Sequence, residues 1–240
     1  RAEEITIKEA TIKEFVTNFI TWAKLNFNKY DNIYILNCPI SEELVPFIDK
    51  HNVVIIDHQR SHVNSKISYK HAKVLIEAET STTKLIQQKF NKVLIDQTTP
   101  DLFQLFQLID DYASYTFEFF DSFNLNTIFY SYNKPKVEKF IQAFSSGFRP
   151  FTALELNTIK LYINKYKEEL ENAQLFKGKL KGYKVIGCVA SQFINEIAHH
   201  LLNKYNADLA IITIPDRNIV SFRKNKITCK LDLAKLADLM

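Results

Sequence analysis

Glycine and proline are scarce in this chain, four and six residues in 240, and methionine and tryptophan occur once each. No Gly-rich phosphate loop, nucleophile elbow or Cys-His pairing is present. The three cysteines, Cys38, Cys188 and Cys229, are widely separated and include no CxxC pair. That argues against a disulfide framework or a structural zinc site and makes a reducing, cytoplasmic compartment the expectation. No apolar run approaches the roughly 18 residues a membrane-crossing helix needs, and no signal peptide is visible, so no membrane segment is expected. Internal repeats and low-complexity tracts are lacking as well. The sequence opens on Arg1 rather than Met, from which we expect a further N-terminal piece.

What is present is the composition of a folded protein: 46% hydrophobic and 24% charged residues, enough for one large domain or two modest ones. The net charge of +4 and pI near 8.8 permit an anionic ligand such as nucleotide or RNA, although so small an excess also suits an ordinary solvated surface.

Periodicity orders the chain. Thr11 to Phe27 places Ile12, Phe15, Val16, Phe19, Ile20 and Ala23 on one helical face. A short strand, DNIYILN (31–37), follows; Ser41 is placed to cap a helix over SEELVPFIDK, and VVIID (53–57) is a second strand. Strand, helix, strand at this spacing predicts a parallel βαβ unit. Within AKVLIEAETSTTKLIQQKF, Thr80 or Ser81 caps a helix carrying Leu85, Ile86 and Phe90. Residues 101–142 are rich in Phe and Tyr at helical spacing and read as a helical layer whose aromatic stripe is core, with an interface role as the lesser reading. A long charged helix runs from Leu154 to Phe176 and ends in GKLKG, read as a basic hinge at Gly178 and Gly182. Beyond it the order is strand, helix, strand, strand. The expected architecture is α/β in two domains: 1–150 with a parallel sheet and helical layer, a linker helix over 151–179, and a smaller α/β domain over 180–240.

With the elements placed, VVIIDHQRSH (53–62), preceded by YDNIYILNCPISEEL and followed by AETSTTKLI, resembles the DHH phosphoesterase superfamily. LIDDYASYTF, NLNTIFY, KVEKFIQAF and the C-terminal VSFRKN…LDLAKLA look most like its oligoribonuclease (nanoRNase) and cyclic-nucleotide phosphodiesterase branch, which carries a C-terminal DHH-associated domain. The likeness in element order runs over nearly the whole chain. It implies hydrolysis of phosphodiesters by two divalent cations, usually manganese, about 4 Å apart and bridged by carboxylates, so that a bound water ionises near neutral pH.

The ligand set that this resemblance implies is incomplete here. The family's first His/Asp-rich strand has no counterpart in the sequence. Its second-strand Asp falls on Asn37, a neutral amide that bridges cations poorly. His58 matches the metal-binding imidazole, with Asp57 before it in a supporting role. Gln59 stands where the second His would contact phosphate, and Arg60 follows it as a candidate phosphate contact. The helical-layer Asp falls on Ala113. Asp111 lies two residues away, a rotation of about 200° along a helix, which aims it elsewhere.

In the second domain Ser221-Phe222-Arg223 resembles the family's Ser-x-Arg, whose hydroxyl and guanidinium hold substrate phosphate. The glycine-rich loop with histidine that follows in relatives has no counterpart before the sequence ends at KLADLM. Other candidates are weaker. His199 and His200 point about 100° apart on a helix and suit no shared metal. His62 and His71 flank the loop after the Asp-His-Gln strand and read as surface residues. The free amides of Thr80 to Thr83 are first a helix cap and second a phosphate site.

The reading carried forward is a DHH-type chain whose dinuclear site has decayed: a pseudoenzyme with no cofactor, retained as a subunit of a protein complex or as a binder of nucleotide or short RNA. The alternative is an active Mn2+-dependent phosphodiesterase or 3'-5' exoribonuclease of the same type, with His58 among its metal ligands.

Overall fold

The structure, a computed structural model, describes residues 5–10, 14–59, 66–77, 80–90 and 99–237. The chain divides into two compact units, Arg1–Phe151 and Thr152–Met240.

In the first unit the β-branched runs form a three-stranded, wholly parallel sheet: β1 (Ile33–Leu36), β2 (Val53–Asp57) and β3 (Lys73–Ile76), in that spatial order. The central strand is apolar on both faces because helices and turns cover both, as a parallel sheet requires. One face packs Ile33, Ile35, Val53 and Ile55 against Phe15, Leu44 and Ile48, with Val16, Phe19, Ile20 and Trp22 of helix α1 (Phe15–Asn26) closing the edge. Ile12, expected on that face, lies outside the described residues. Helix α3 (Thr82–Lys89), with Leu85 fully buried, packs against β2, and the helical layer follows as α4 (Pro100–Ala113), α5 (Phe120–Ser131) and α6 (Lys136–Phe144).

Three expectations need correction in this unit. The helix expected over 41–50 is a 3-10 turn at 42–44 and the single-turn α2 (Val45–Ile48), and the Ser41 hydroxyl bonds Glu43 rather than capping. Pro46, at the start of α2, lacks the N–H that would continue a longer helix. The stretch before Ser81 supplies a third strand, β3, which its mixed Lys-Val-Leu-Ile pattern did not announce. The aromatic stripe is only partly core: Phe120 is 72% and Tyr130 63% exposed, and Phe103, Tyr115 and Phe119 are exposed too. On α5 the buried positions are Ser122, Asn124, Leu125, Thr127 and Ile128.

The second unit opens with α7 (Ala153–Asn172), held by a complete capping box in which Glu155 N donates to Thr152 Oγ1 and Thr152 N to Glu155 Oε2. A mixed sheet follows in the order β4 (Leu175–Leu180), β5 (Tyr183–Val189), β6 (Leu209–Ile214), β7 (Ile219–Lys224). Helix α8 (Ile194–Lys204) carries the crossover between the parallel pair β5 and β6, and the short α9 (Leu233–Ala237) comes last. Ile186, Cys188, Ala210 and Ile212 pack on Ile197, Ala198 and Leu201 of α8, with Tyr162, Tyr166 and Leu170 of α7 against them. GKLKG is not a hinge. It belongs to the antiparallel β4–β5 hairpin, with Lys181 (φ 49°) and Gly182 (φ 88°) as the two turn residues, and α7 accordingly stops at Asn172 rather than Phe176.

Candidate functional site

The carboxyl edge of the parallel sheet is where the three strands deliver polar side chains. β1 ends at Asn37, exposed and in the left-handed region (φ 52°) that asparagine tolerates, its N–H still donating to Ile56 O at 3.0 Å. β2 ends at Asp57, which is buried, and Asp57 Oδ1 accepts the backbone N–H of His58 (2.5 Å) and of Gln59 (2.8 Å). Asp57 thus fixes the turn that presents His58 and Gln59. Arg60 and His62 lie outside the described residues.

The His58 ring meets α3: its Nδ1 and Thr82 Oγ1 are hydrogen-bonded at 2.9 Å. Ser81, the N-cap of α3, accepts Lys84 N–H at 3.0 Å and donates its hydroxyl to Asp110 Oδ1, to which Ser114 also donates at 3.2 Å. The sequence signal for Asp110 is slight, its place in the Asp-Asp pair one helical turn before Ser114. Asp111 beside it is 4% exposed. It accepts from Thr116 Oγ1 (2.6 Å), Glu118 N (2.8 Å) and Phe119 N (3.2 Å). Burial alone would raise its pKa, but hydrogen bonds from Ser122 and Thr116 and from those amides outweigh it and hold the carboxyl below its ordinary value. Asp111 therefore organises the loop between α4 and α5, and Ala113, the last residue of α4, offers no donor at all.

A hydroxyl within hydrogen-bond reach of an imidazole is the first half of an activated nucleophile. The second half is an acid that orients the ring, and Asp57 Oδ1, the acid beside it, accepts the backbone amides of His58 and Gln59. Cys38, near the same edge, is no substitute. Burial foremost, then the charge of Asp57, push its thiol up to about 11, against a smaller opposing effect of its bond to Leu36 O, so it stays protonated at neutral pH.

Two manganese ions would need oxygen-rich anionic ligands in convergent array. The donors here are one imidazole, two amides and acids already engaged by backbone and hydroxyl groups, and among the described residues no three His, Cys, Asp or Glu side chains form a group able to hold a metal. Among the described residues, the side chains at this edge do not fit a dinuclear centre.

In the second unit Ser221 and Arg223 are neighbours on one face of β7. The guanidinium donates through Nη1 to Ser221 Oγ (3.1 Å) and Phe222 O (2.8 Å), and through Nε (3.1 Å) and Nη2 (2.7 Å) to Asn195 Oδ1. The fork that could grip a phosphate clasps β7 to the start of α8. His199 bonds Asn203 (2.8 Å) along the same helix, whereas His200 Nε2 is enclosed; burial, then the charge of Lys204, hold its pKa below the usual value.

No family model matches this chain, and no curated protein is similar to it. Among solved structures it is similar to the Methanococcus jannaschii "putative family II inorganic pyrophosphatase", at 13% identity over 75% of this chain and 70% of that one, with a TM-score of 0.22. A likeness that slight bears on neither fold nor function. None of the described helices is long and apolar enough to cross a membrane.

Proposed function

We propose that the chain is a catalytically silent relative of the DHH phosphoesterases, with residues 1–150 corresponding to the DHH domain, 151–179 to the linker that includes α7 and 180–240 to the associated domain, retained as an interaction subunit. The observation that carries this reading is the fate of the acids around the sheet edge. Asn37, Gln59 and Ala113 stand where the resemblance calls for anionic or imidazole donors, and the acids nearby, Asp57, Asp110 and Asp111, accept bonds from the protein itself. A binuclear centre needs that charge to offset two divalent cations. The exposed aromatics Phe119, Phe120 and Tyr130 supply the kind of surface on which protein interfaces are built. Retention of nucleotide on Ser221 and Arg223 is the lesser form of the same proposal, since the guanidinium would have to exchange its bonds to Asn195 for bonds to phosphate. The test is Mn2+-dependent hydrolysis of a dinucleotide by the full chain. Expected is no turnover above the metal-only background; turnover that scales with protein would reinstate the active phosphodiesterase.

A further inference from the structure

At the opposite end of the sheet from His58 two imidazoles meet. His51 lies in the turn before β2 and His71 in the segment leading into β3, and their ring centroids are 4.5 Å apart with planes inclined at 58°. Both residues are exposed. The length of β2 separates them from the Asp57 edge by about 16 Å, so they form no part of the site described above.

Their backbones are held in place. The Asp49 carboxylate accepts the N–H groups of Lys70 (3.0 and 2.9 Å, one to each oxygen), His71 (2.7 Å) and Ala72 (2.9 Å). On the other side, Val53 N donates to Lys50 O at 3.1 Å and closes the turn that carries His51. The two rings therefore come from fixed supports, and a ligand bridging them recovers little backbone disorder.

We propose that His51 and His71 form a two-imidazole site for a tetragonal transition cation, copper(II) or nickel(II), with solvent completing the coordination. Imidazole is a preferred ligand of both ions. A metal about 2.1 Å from an imidazole nitrogen sits about 3.2 Å from the ring centroid, so two cis ligands at about 90° set their centroids about 4.5 Å apart, whereas a tetrahedral angle sets them at about 5.2 Å. The observed separation matches the right-angled arrangement. The Asp49 carboxylate, whose pKa is lowered to about 2 chiefly by the amides of Ala72 and Lys70, adds negative charge next to His71. Lys50 and Lys70 adjoin the two histidines in sequence and oppose it, which places the site among exchangeable rather than permanent metal sites. Bound there, a cation ties the turn before β2 to the segment before β3 and stabilises the folded unit by mass action.

The test uses the untagged full chain. Nickel calorimetry should give one saturable site per chain, weakened about tenfold or more by His51→Asn and by His71→Asn alike and unchanged by His199→Asn. Neither of the first two substitutions removes the backbone N–H that Asp49 holds, and unchanged melting without metal checks that the fold is intact. In the unsubstituted protein, copper(II) electron paramagnetic resonance should show two coordinated nitrogens, and nickel should broaden the His51 and His71 ring resonances first. Absence of saturable binding, binding indifferent to both substitutions, or broadening centred on other histidines overturns the proposal.

Discussion

Asp111 can neither face water nor leave its neighbours unserved: Thr116, Glu118 and Phe119 all donate to it in a pocket that is nearly closed. Replacing it with alanine strands the amides of Glu118 and Phe119 and leaves the Thr116 hydroxyl only the carbonyl of residue 111, and Asp111→Ala should destabilise the first unit by about 3 kcal/mol in urea unfolding. Asp49 gives the corresponding acid signature. Its native pKa of about 2 lies below the ordinary carboxylate value, so its contribution to stability is fully present above about pH 4 and is lost as pH falls toward 2. Asp49→Asn should therefore flatten the decline of stability between about pH 4 and pH 2, measured by denaturation at each pH; an unchanged slope would mean that the clasp on Lys70 to Ala72 does not form. At this scale the sequence disclosed the residue types but not their commitments. Asp57 and His58 were visible as a strand end, whereas the pairing of Ser81 with Asp110 joins two helices distant in the chain and carries no local signature.

Helices and strands with strong local patterns were legible: VVIID as a buried strand, the Ser81 cap, α8, and the strands β5 to β7. The misread elements are those where a tertiary contact decides. Lys-Gly in GKLKG is equally good for a hinge and for a two-residue hairpin turn, and pairing with β5 selects the turn. In α5 the polar Ser122, Asn124 and Thr127 face inward while Phe120 and Tyr130 face out, an inversion that apolar spacing cannot reveal. Two glycines test the packing of elements directly. A Cβ on Gly147 (φ +114°) would stand 2.4 Å from backbone atoms of Asp101 and Leu102, where nothing can yield. On Gly187 it would press on the half-exposed Phe176 ring, 2.8 Å away, which can swing aside, and stand 3.0 Å from the Ile211 carbonyl oxygen of the neighbouring strand. Gly147→Ala should cost about 3 kcal/mol or more and Gly187→Ala about 1, by thermal or urea unfolding; equal costs would contradict the close approach of Gly147 to the first turn of α4.

Over the whole molecule, charge is unevenly divided. Residues 152–240 hold 14 Lys and Arg against 9 Asp and Glu, while residues 1–151 hold 17 against 18. The basic surplus that would draw an anionic partner thus lies in the second unit, and the sheet edge bearing Asn37, Asp57 and His58 belongs to a nearly neutral first unit with its nearby acids already bonded. The architecture was readable as α/β from the alternation of strand and helix patterns. The proposed decay of the candidate site rests on the family resemblance, because Asn37, Gln59 and Ala113 are unremarkable residues taken alone. The most direct measurement is equilibrium binding of Mn2+ to the full chain at neutral pH. No specifically bound manganese at concentrations that load a binuclear phosphoesterase is the result expected here; two ions per chain, lost together in His58→Ala, would contradict it.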